Sequence, residues 1–366
     1  MTGRQTTRRI NVGSVPVGGG APVSIQSMTN TDTRDAAATS AQIALLAAAG
    51  CEIIRVAVPD FKAVDALPEI LDKSPIPVIA DIHFDYKLAI ASIKAGMHGI
   101  RINPGNIGSI EKTRAVAEAA GEAGIPIRVG ANSGSLPKGL LEEKLRSFQS
   151  REKALAKALV ESAVEQVAIL EKCGFADIKV SLKASDVPVS VAAYRQFAEI
   201  SDCPLHLGIT EAGTMRRGTV KSAAGIGALL LDGIGDTLRV SLTADPVEEV
   251  KTALMILESV GLRESRPEIV SCPTCGRTEI NLFELVDKVE RLVDDIKGRN
   301  KKIDIKKIAV MGCVVNGPGE AKDADLGITG GKGQIILFKF GTPIGTYPES
   351  EGFEALKKEI LKSVRE

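Results

Sequence analysis

Ser271-Cys272-Pro273-Thr274-Cys275-Gly276 divides this chain of 366 residues into two parts with different sequence patterns. The two thiols have C-x-x-C spacing, which lets both bind one metal centre, and thiolates are soft ligands. A third thiol, Cys313, follows in the Gly/Pro-rich stretch 312–320 (GCVVNGPGE). The second part of the chain is therefore predicted to be built around a metal site with three thiolate ligands.

The fourth ligand has few candidates. The three histidines and the other three cysteines all lie upstream of Cys272. The nearest ligating side chain after Cys313 is Glu320, which the turn at residues 317–319 can fold back towards the cysteine. Three thiolates and one carboxylate favour an iron–sulfur cluster with an exchangeable iron, since structural zinc sites are normally closed by Cys or His. A zinc knuckle that lacks one ligand stays open as the alternative.

The composition limits the class of protein. Hydrophobic residues make up 44% of the chain, aromatic residues only 3%, and Trp is absent, so we expect a core of Val, Ile, Leu and Ala like that of buried parallel strands. The formal net charge is zero and no basic run occurs, which argues against nucleic acid or an anionic membrane as a partner. No apolar run is long enough to cross a bilayer, and reduced cysteines suit the cytoplasm.

Eight apolar strand candidates precede the cysteines, with helical patterns between them. The clearest helical patterns are residues 40–49, 109–123, 142–172 and, after the last strand, 246–260. Eight strand–helix units predict a (β/α)8 TIM-like barrel, with a doubly wound open sheet as the alternative. The strand candidates are residues 23–27, 52–58, 77–82, 99–103, 127–131, 178–183, 205–209 and 237–241.

The periodicity lapses at residues 261–270, which predicts a domain boundary. We expect a substrate-binding barrel over residues 1–265 and a small α+β domain that binds the cluster over residues 266–366. The patterns in the second domain predict a helix at 282–297, a strand at 307–311, a hairpin at 326–329 and 334–340, and a closing helix at 351–364.

One face of the predicted barrel strands is polar. Side chains alternate along a strand between the lumen and the helices, and the set that faces the helices has to be apolar. Arg55, for example, lies between Ile54 and Val56. The polar set therefore faces the lumen or its C-terminal mouth, where active sites of this fold lie. It comprises Arg55, Asp81, His83, Arg101, Asn103, Arg128, Asn132, Arg239 and Ser241.

Four arginines and Lys183 would place much positive charge in a confined space. Buried charge needs a partner, and Asp81 and Glu211 can neutralise some of it. Guanidinium groups match phosphate oxygens, so the pattern favours a phosphate or diphosphate ligand. Glu211 follows the seventh strand and can either hold a proton for transfer or pair with an arginine; the sequence leaves both roles open.

The remaining cysteines and His206 fall low in the predicted barrel. Cys51, Cys173 and Cys203 precede strands, so we interpret them as packing residues. His206 lies near the start of the seventh strand, and a structural role and a supporting role in the site are equally open.

A set of polar and glycine-rich motifs runs through the chain. They are residues 24–31 (SIQSMTNT), 80–84 (ADIHF), 101–106 (RINPGN), 128–135 (RVGANSGS), 181–185 (SLKAS), 233–241 (GIGDTLRVS) and the two cysteine segments. Together they resemble one family, the iron–sulfur enzymes 4-hydroxy-3-methylbut-2-enyl diphosphate synthase of the methylerythritol phosphate route to isoprenoids. The likeness covers nearly the whole chain, in the short bacterial form without a large inserted middle domain.

The resemblance implies a (β/α)8 barrel and a small domain similar to the cluster domains of sulfite and nitrite reductases. It implies a [4Fe-4S] cluster on Cys272, Cys275, Cys313 and Glu320, with electrons from flavodoxin or ferredoxin. The implied reaction is the reductive ring opening and dehydration of 2-C-methyl-D-erythritol 2,4-cyclodiphosphate. Glu211, as candidate proton donor, and Glu320 are the implied catalytic residues. The implied substrate-binding residues are Arg55, Asp81, Arg101, Asn103, Arg128, Asn132, Lys183, Thr210, Arg239 and Ser241.

The length of the linker predicts a homodimer. The last barrel helix returns the chain to the bottom face, away from the mouth, and residues 261–270 span at most about 35 Å. We therefore expect the cluster domain of one chain to close the barrel of another in a two-fold pair, as the family is understood to do. Two other classes stay open: a pterin-binding barrel enzyme with a structural zinc domain, and an iron–sulfur assembly protein or redox sensor.

Overall fold

The computed structural model of the chain describes residues 4–264, 267–298, 301–313, 319 and 322–365. The chain divides into two compact units, with the division between Arg263 and Glu264. Among the described residues, no helix combines the length and the apolar character that a membrane span requires.

Eight parallel strands form the centre of the first unit. They are β3 (Ser24–Met28), β4 (Ile53–Ala57), β5 (Val78–Asp81), β6 (Ile100–Arg101), β7 (Ile127–Asn132), β8 (Ile178–Lys183), β9 (His206–Leu207) and β10 (Thr237–Leu238). Their order in the sheet is β8-β7-β6-β5-β4-β3-β10-β9, and a parallel bridge between Val180 and Leu205 joins the two ends. The predicted barrel is therefore confirmed, and every predicted strand overlaps an observed one.

Helices surround these strands. They are α1 (Ala36–Ala48), α2 (Phe61–Lys73), α3 (Tyr86–Lys94), α4 (Pro104–Ile107), α5 (Ile110–Ala123), α6 (Leu140–Ser147), α7 (Arg151–Lys172), α8 (Val187–Ile200), α9 (Met215–Leu231) and α10 (Pro246–Ser259). The prediction of one helix over residues 142–172 was wrong. Phe148 is extended at the end of α6, and the Ser150 hydroxyl accepts a hydrogen bond from the Lys153 N–H to cap α7.

A hairpin that the sequence did not predict lies at the start of the barrel. Its strands are β1 (Ile10–Val12) and β2 (Val15–Val17), which pair in antiparallel fashion. Its apolar side chains pack against the lower, lumen-facing residues of β4 and β5 and so close the bottom of the barrel. This cluster comprises Ile10, Val12, Val17, Ile53 and Ile79.

In its described residues, the second unit has a mixed five-stranded sheet and the helices α11 (Leu282–Gly298) and α12 (Glu349–Lys362). The sheet order is β11 (Glu268–Ser271), β13 (Lys307–Met311), β14 (Leu326–Gly331), β15 (Gln334–Lys339) and β16 (Thr342–Pro348). A short antiparallel pair, β12 (Lys302–Ile303) and β17 (Val364–Arg365), completes it. The predicted small α+β domain is confirmed.

The first strand of this sheet corrects the predicted linker. β11 occupies residues 268–271, part of the stretch where the sequence periodicity lapses, and pairs in parallel register with β13. Its side chains are exposed or half-buried, so the strand carries no continuous apolar run. The connection between α10 and β11 is consequently shorter than the sequence suggested.

Candidate functional site

The polar residues of the barrel strands lie in the lumen, as their alternation predicts. Ile54 and Val56, on either side of Arg55, are fully buried in the core between the strands and the helices. Arg55 itself reaches Asp81 on the neighbouring strand β5. The lumen therefore holds the charged groups, and the helices cover the apolar ones.

Asp81 joins two of the predicted arginines. Its Oδ1 accepts a hydrogen bond from Arg101 Nη1 at 3.2 Å, and its Oδ2 lies 3.6 Å from Arg55 Nε. Burial opposes ionisation of this carboxyl, but Arg55 and Arg101 hold its pKa below the ordinary value. Burial lowers the pKa of Arg55 to about 10 against the attraction of Asp81. One carboxylate thus stabilises two guanidinium groups.

Arg128 has no such partner. It is only 5% exposed, and its Nε and Nη1 form no hydrogen bond. In the described part of the chain no carboxylate lies within salt-bridge distance of it. Burial, followed by repulsion from Arg55 and Arg101, lowers its pKa well below the usual range. Because arginine keeps its proton in proteins, Arg128 is a buried cation that calls for an anion.

Lys183 adds a second buried basic group at the end of β8. It is 8% exposed, and burial together with Arg128 and Arg239 lowers its pKa well below the ordinary value. Gly208 makes room for it: a Cβ there would lie 2.8 Å from Lys183 Nζ and 2.7 Å from the Arg239 carbonyl oxygen. The absence of a side chain at Gly208 therefore lets the lysine lie across β9.

Arg239 has a counterion that the sequence did not indicate. Glu249, on the first turn of α10 and 4% exposed, accepts hydrogen bonds from Arg239 at 3.2 to 3.4 Å. The same carboxylate accepts the Leu242 N–H at 2.8 Å. The sequence pointed instead to Asp81 and Glu211 as neutralising acids. Asp81 does pair with arginines, whereas Glu211 is exposed and has no ion pair among the described residues.

Glu211 lies in the loop after β9 with φ of +49°, in the left-handed region that non-glycine residues rarely adopt. Such backbone strain is concentrated at functional sites. The neighbouring Thr210 donates its backbone N–H to the Ala184 carbonyl at 3.2 Å, which ties this loop to the end of β8. Glu211 is thus an exposed carboxyl group on a loop at the mouth.

The remaining predicted ligands follow the C-terminal ends of their strands. Asn103 uses its side-chain oxygen to cap α4, accepting the Gly105 N–H at 3.1 Å, which leaves its amide group as a donor. Asn132 ends β7, and Ser241 follows β10; both are half-buried. All three positions belong to the mouth of the barrel.

The three predicted cysteine ligands line one cavity in the second unit, of about 130 Å³. Cys313 is buried, Cys275 is exposed, and Cys272 Sγ accepts the Gly312 N–H at 3.5 Å. A hydrogen bond from Arg277 lowers the pKa of Cys275. Glu320, the predicted fourth ligand, lies outside the described residues.

No three Cys, His, Asp or Glu side chains of the described ranges are close enough to hold a single metal ion. A cluster is compatible with this spacing, because each thiolate binds a different iron atom. The other cysteines pack in the barrel core: Cys51 and Cys203 are buried, and Cys173 is half-buried at the end of α7. Burial raises the pKa of Cys51 to about 12, so it is an inert thiol.

His206 and its neighbours occupy the lower lumen. The ring of His206 is fully buried, with Nδ1 2.7 Å from Thr237 Oγ1 and Nε2 without a partner. Lys179, Ser24 and Gln26 also have buried polar atoms that form no hydrogen bond. Lys179 alternates with Ile178 and Val180, so the same period of two that predicts a lumen position for Arg128 also predicts one for Lys179.

Comparison with known proteins finds matches along nearly the whole chain. Residues 7–254 match a family model described as GcpE TIM-barrel domain, and residues 268–362 match GcpE protein C-terminal domain. Among solved structures, dihydropteroate synthase of Yersinia pestis is similar with a TM-score of 0.46 and 15% identity, over 69% of this chain and 97% of that one.

Curated relatives share more than half of their residues with this chain. The 4-hydroxy-3-methylbut-2-en-1-yl diphosphate synthase (flavodoxin) of Geobacter sulfurreducens is 55% identical over 360 residues, which cover 98% of both chains. The enzyme of the same name from Thermodesulfovibrio yellowstonii is 55% identical over 362 residues, 99% of this chain and 100% of the relative. That of Maridesulfovibrio salexigens is 53% identical over 364 residues, 100% and 97% of the two chains.

Proposed function

The chain belongs to the 4-hydroxy-3-methylbut-2-en-1-yl diphosphate synthase family, and we propose that it carries out the family's reaction in the lumen of its barrel. The substrate is 2-C-methyl-D-erythritol 2,4-cyclodiphosphate. Two electrons and two protons are added, the bond between carbon and one phosphate oxygen breaks, and one hydroxyl group leaves as water. Family membership sets aside the pterin-enzyme and redox-sensor alternatives.

The buried cation Arg128 is the observation that carries the assignment of the binding site. Asp81 compensates Arg55 and Arg101, and Glu249 compensates Arg239, but Arg128 and Lys183 have no acidic partner in the ranges that the structure describes. Each phosphate of the cyclic substrate has one ester bond to carbon and one anhydride bond to the other phosphate, so each carries one negative charge. Arg128 provides one uncompensated cation and Lys183 provides a second once it is protonated, which matches the two anionic groups of the substrate, and guanidinium donors suit phosphate oxygens.

The other predicted ligands complete this site in our proposal. Asn103, Asn132, Thr210 and Ser241 follow the ends of four strands at the mouth, where hydroxyl and amide groups orient a polyol. Arg55, Arg101 and Arg239 are held in place by their carboxylates before substrate arrives. Such preorganisation lowers the cost of ordering long side chains on binding.

The cavity lined by Cys272, Cys275 and Cys313 fits an iron–sulfur cluster, because three thiolates of one short segment and one turn surround it. We propose a [4Fe-4S] cluster with Glu320 as its fourth ligand. When bound, the cluster supplies the two electrons one at a time.

The role of Glu320 can be tested by Glu320→Gln, which keeps the thiolates but removes the charged ligand. Anaerobically purified variant should contain less iron and show altered visible absorption, because neutral Gln is a weaker ligand than a carboxylate. Wild-type iron content and absorption in this variant would exclude Glu320 as a ligand.

We assign proton donation to Glu211. The reaction consumes protons, and an exposed carboxyl at the mouth exchanges protons directly with solvent. Its strained backbone supports a functional role for this position. Flavodoxin or ferredoxin is the proposed electron donor, since the relatives' names specify flavodoxin. The proposed site of action is the cytoplasm, where thiols stay reduced.

A two-chain active site is also part of the proposal. Arg263 Nη2 donates to the Val23 carbonyl oxygen at 2.9 Å and to the Glu52 carboxylate at 2.7 to 2.8 Å, and both residues precede barrel strands. The linker is therefore attached to the bottom face at Arg263. From there to Glu268, where β11 begins, the chain spans at most about 18 Å. That reach supports closure of a neighbouring chain's barrel rather than of its own.

The binding site can be tested by measuring substrate affinity calorimetrically without reductant, so that no turnover occurs. Arg128→Ala should weaken binding about 10- to 150-fold, the equivalent of about 1.5 to 3 kcal/mol for one charge-assisted interaction. Its melting temperature without substrate should be unchanged or higher, because a buried uncompensated charge is removed. The matched control is Arg114→Ala, on the exposed face of α5.

The control variant Arg114→Ala should bind the cyclodiphosphate with the affinity of the wild type. An Arg128→Ala protein that binds the cyclodiphosphate as tightly as wild type would contradict the assignment of the lumen.

A further inference from the structure

Lys179 is a buried amine that the proposed reaction does not use. It is 1% exposed, and its Nζ forms no hydrogen bond. On β8 it has the same orientation as Lys183, but lies four residues, about 13 Å, further from the mouth. Because a lysine in this position costs solvation energy without a paired anion, its presence needs an explanation.

The groups that face Lys179 give it no counterion of its own. Register places it directly beside Arg128 of β7, and Arg55 of β4 lies across the lumen. Asp236, the acid whose charge acts on Lys179, already accepts hydrogen bonds from three other donors. These are Arg4 Nη2 at 3.2 Å, Thr7 Oγ1 at 3.0 Å and Leu205 N at 2.9 Å.

The other neighbours of Lys179 provide no negative charge. His206 of β9 is fully buried, and burial followed by Lys183, Arg128 and Lys179 lowers its pKa well below the ordinary value. From β3, Ser24 and Gln26 share the lumen-facing side. These two side chains are uncharged, so they cannot offset an ammonium group.

A lysine and an arginine that lie side by side without an anion cannot both stay charged at low cost. Arginine keeps its proton, so the lysine is the group that gives one up. Burial first, and Arg128 second, lower the pKa of Lys179 to about 7. At the pH of the cytoplasm a large share of these lysines is therefore neutral before substrate binds.

We propose that Lys179 is the proton acceptor that couples substrate binding to proton uptake: a neutral amine in the free enzyme, an ammonium group once the cyclic diphosphate lies above it. This inference rests on the proposed function. Burial, followed by repulsion from Arg128, favours the neutral form of Lys179 in the free enzyme. Two phosphate charges beside Arg128 and Lys183 offset that repulsion and attract an ammonium group, so the bound state favours the proton. The bound enzyme thereby gains a further positive charge below the diphosphate without any conformational change.

The sign of the pH dependence follows from this cycle. Below about pH 7 Lys179 already carries its proton in the free enzyme, and binding takes up little. Above that pH, uptake accompanies binding, so affinity falls as pH rises. The substrate does not contribute, because each of its phosphates has a single, strongly acidic ionisable oxygen and stays singly charged between pH 6 and 9. Lys183 and His206 are the other groups that can accept a proton. A comparison of wild type with a variant that lacks the Lys179 amine therefore separates the proton uptake of Lys179 from theirs.

The test is calorimetric titration of the cyclodiphosphate into enzyme without reductant, at pH 6 and pH 8, in buffers of different ionisation enthalpy. Wild type, Lys179→Met and the control Lys172→Met, an exposed lysine on the last turn of α7, are compared. At pH 8, Lys179→Met should take up fewer protons than wild type, by a difference approaching one. At pH 6, wild type and Lys179→Met should take up the same number of protons on binding. Lys172→Met should match wild type at both pH values.

Equal proton uptake by wild type and Lys179→Met at pH 8 would overturn the proposal. If Lys179→Met does not fold, Lys179→Gln replaces it in the comparison. The wild-type measurement is also a test by itself, because substrate binding at pH 8 without net proton uptake would overturn the coupling. No binding by wild type at either pH would instead overturn the proposed function, and with it the inference. The two failures are therefore distinguishable.

Discussion

Glu249 is the acid that compensates Arg239, one of the lumen arginines. Its carboxylate holds Arg239 and the Leu242 N–H together, so it connects α10 to the end of β10. With Asp81 serving Arg55 and Arg101, the fold uses two acids to keep three arginines in place. In our proposal, Arg128 and Lys183 are the lumen groups that have no acidic partner until substrate binds.

Replacing Glu249 by Gln should destabilise the free protein by about 1 to 3 kcal/mol, because Arg239 would keep its charge and lose its anion. Urea unfolding at pH 7.5 measures this difference. The matched control is Glu248→Gln on the same turn of α10, whose exposed pair with Lys251 is worth at most about 0.5 kcal/mol. Both substitutions remove one charge from the helix N-terminus, so the dipole contribution cancels. Equal losses in the two variants would contradict a specific role for Glu249.

Sequence reasoning found the lumen cations but not all of their partners. Arg55, Arg101 and Arg128 were predictable because each alternates with buried Ile or Val on a strand. Glu249 was not, since on a helix an acid in the first turn is normally a solvent-facing residue that interacts with the helix dipole. Only the tertiary packing of α10 against β3 and its neighbouring helices brings it to Arg239.

At the level of elements, strands and long helices were predictable and the short connections were not. The strands of the barrel are apolar on the helix-facing side, which gives a clear period of two. The hairpin β1–β2 has strands of three residues, too short for a periodic signal. The break between α6 and α7 depends on the Ser150 cap, which lies inside an otherwise helical composition.

Helix α9 contains two glycines, Gly225 and Gly227, whose substitution tests whether the packing of this helix constrains the loop after β9 at the mouth of the barrel. A Cβ at Gly225 would lie 2.6 Å from Ile209 Cδ1, whereas a Cβ at Gly227 would have no neighbour within 4 Å. Gly225→Ala should therefore cost about 1 to 3 kcal/mol of stability by overpacking. Gly227→Ala should stabilise the helix by up to about 1 kcal/mol.

Thermal and urea unfolding of the two variants measures the difference. Ile209 directly precedes Thr210 and Glu211, so Gly225→Ala should also lower the turnover rate. Similar stability for both variants would show that Ile209 has room to move and that α9 does not constrain the mouth.

At the scale of the whole molecule, the sequence predicted two domains of the observed classes, but the linker is shorter and more constrained than its composition suggested. Arg263 was not recognisable as an anchor, because its contacts with Val23 and Glu52 join residues more than two hundred positions apart in the chain. Such contacts exist only once the barrel has closed. Together with the early start of β11, they strengthen the physical reason for a two-chain active site.

The central claim is that a barrel and a cluster domain from different chains perform the reaction together. Mixing two variants that are inactive alone tests it most directly: Glu211→Ala, with an impaired barrel, and Cys272→Ser, with an impaired cluster site. After subunit exchange, mixed dimers should contain one intact barrel facing one intact cluster domain, which restores about a quarter of the wild-type activity under random pairing. Exchange demonstrated by differently tagged chains, with no activity regained, would contradict the claim.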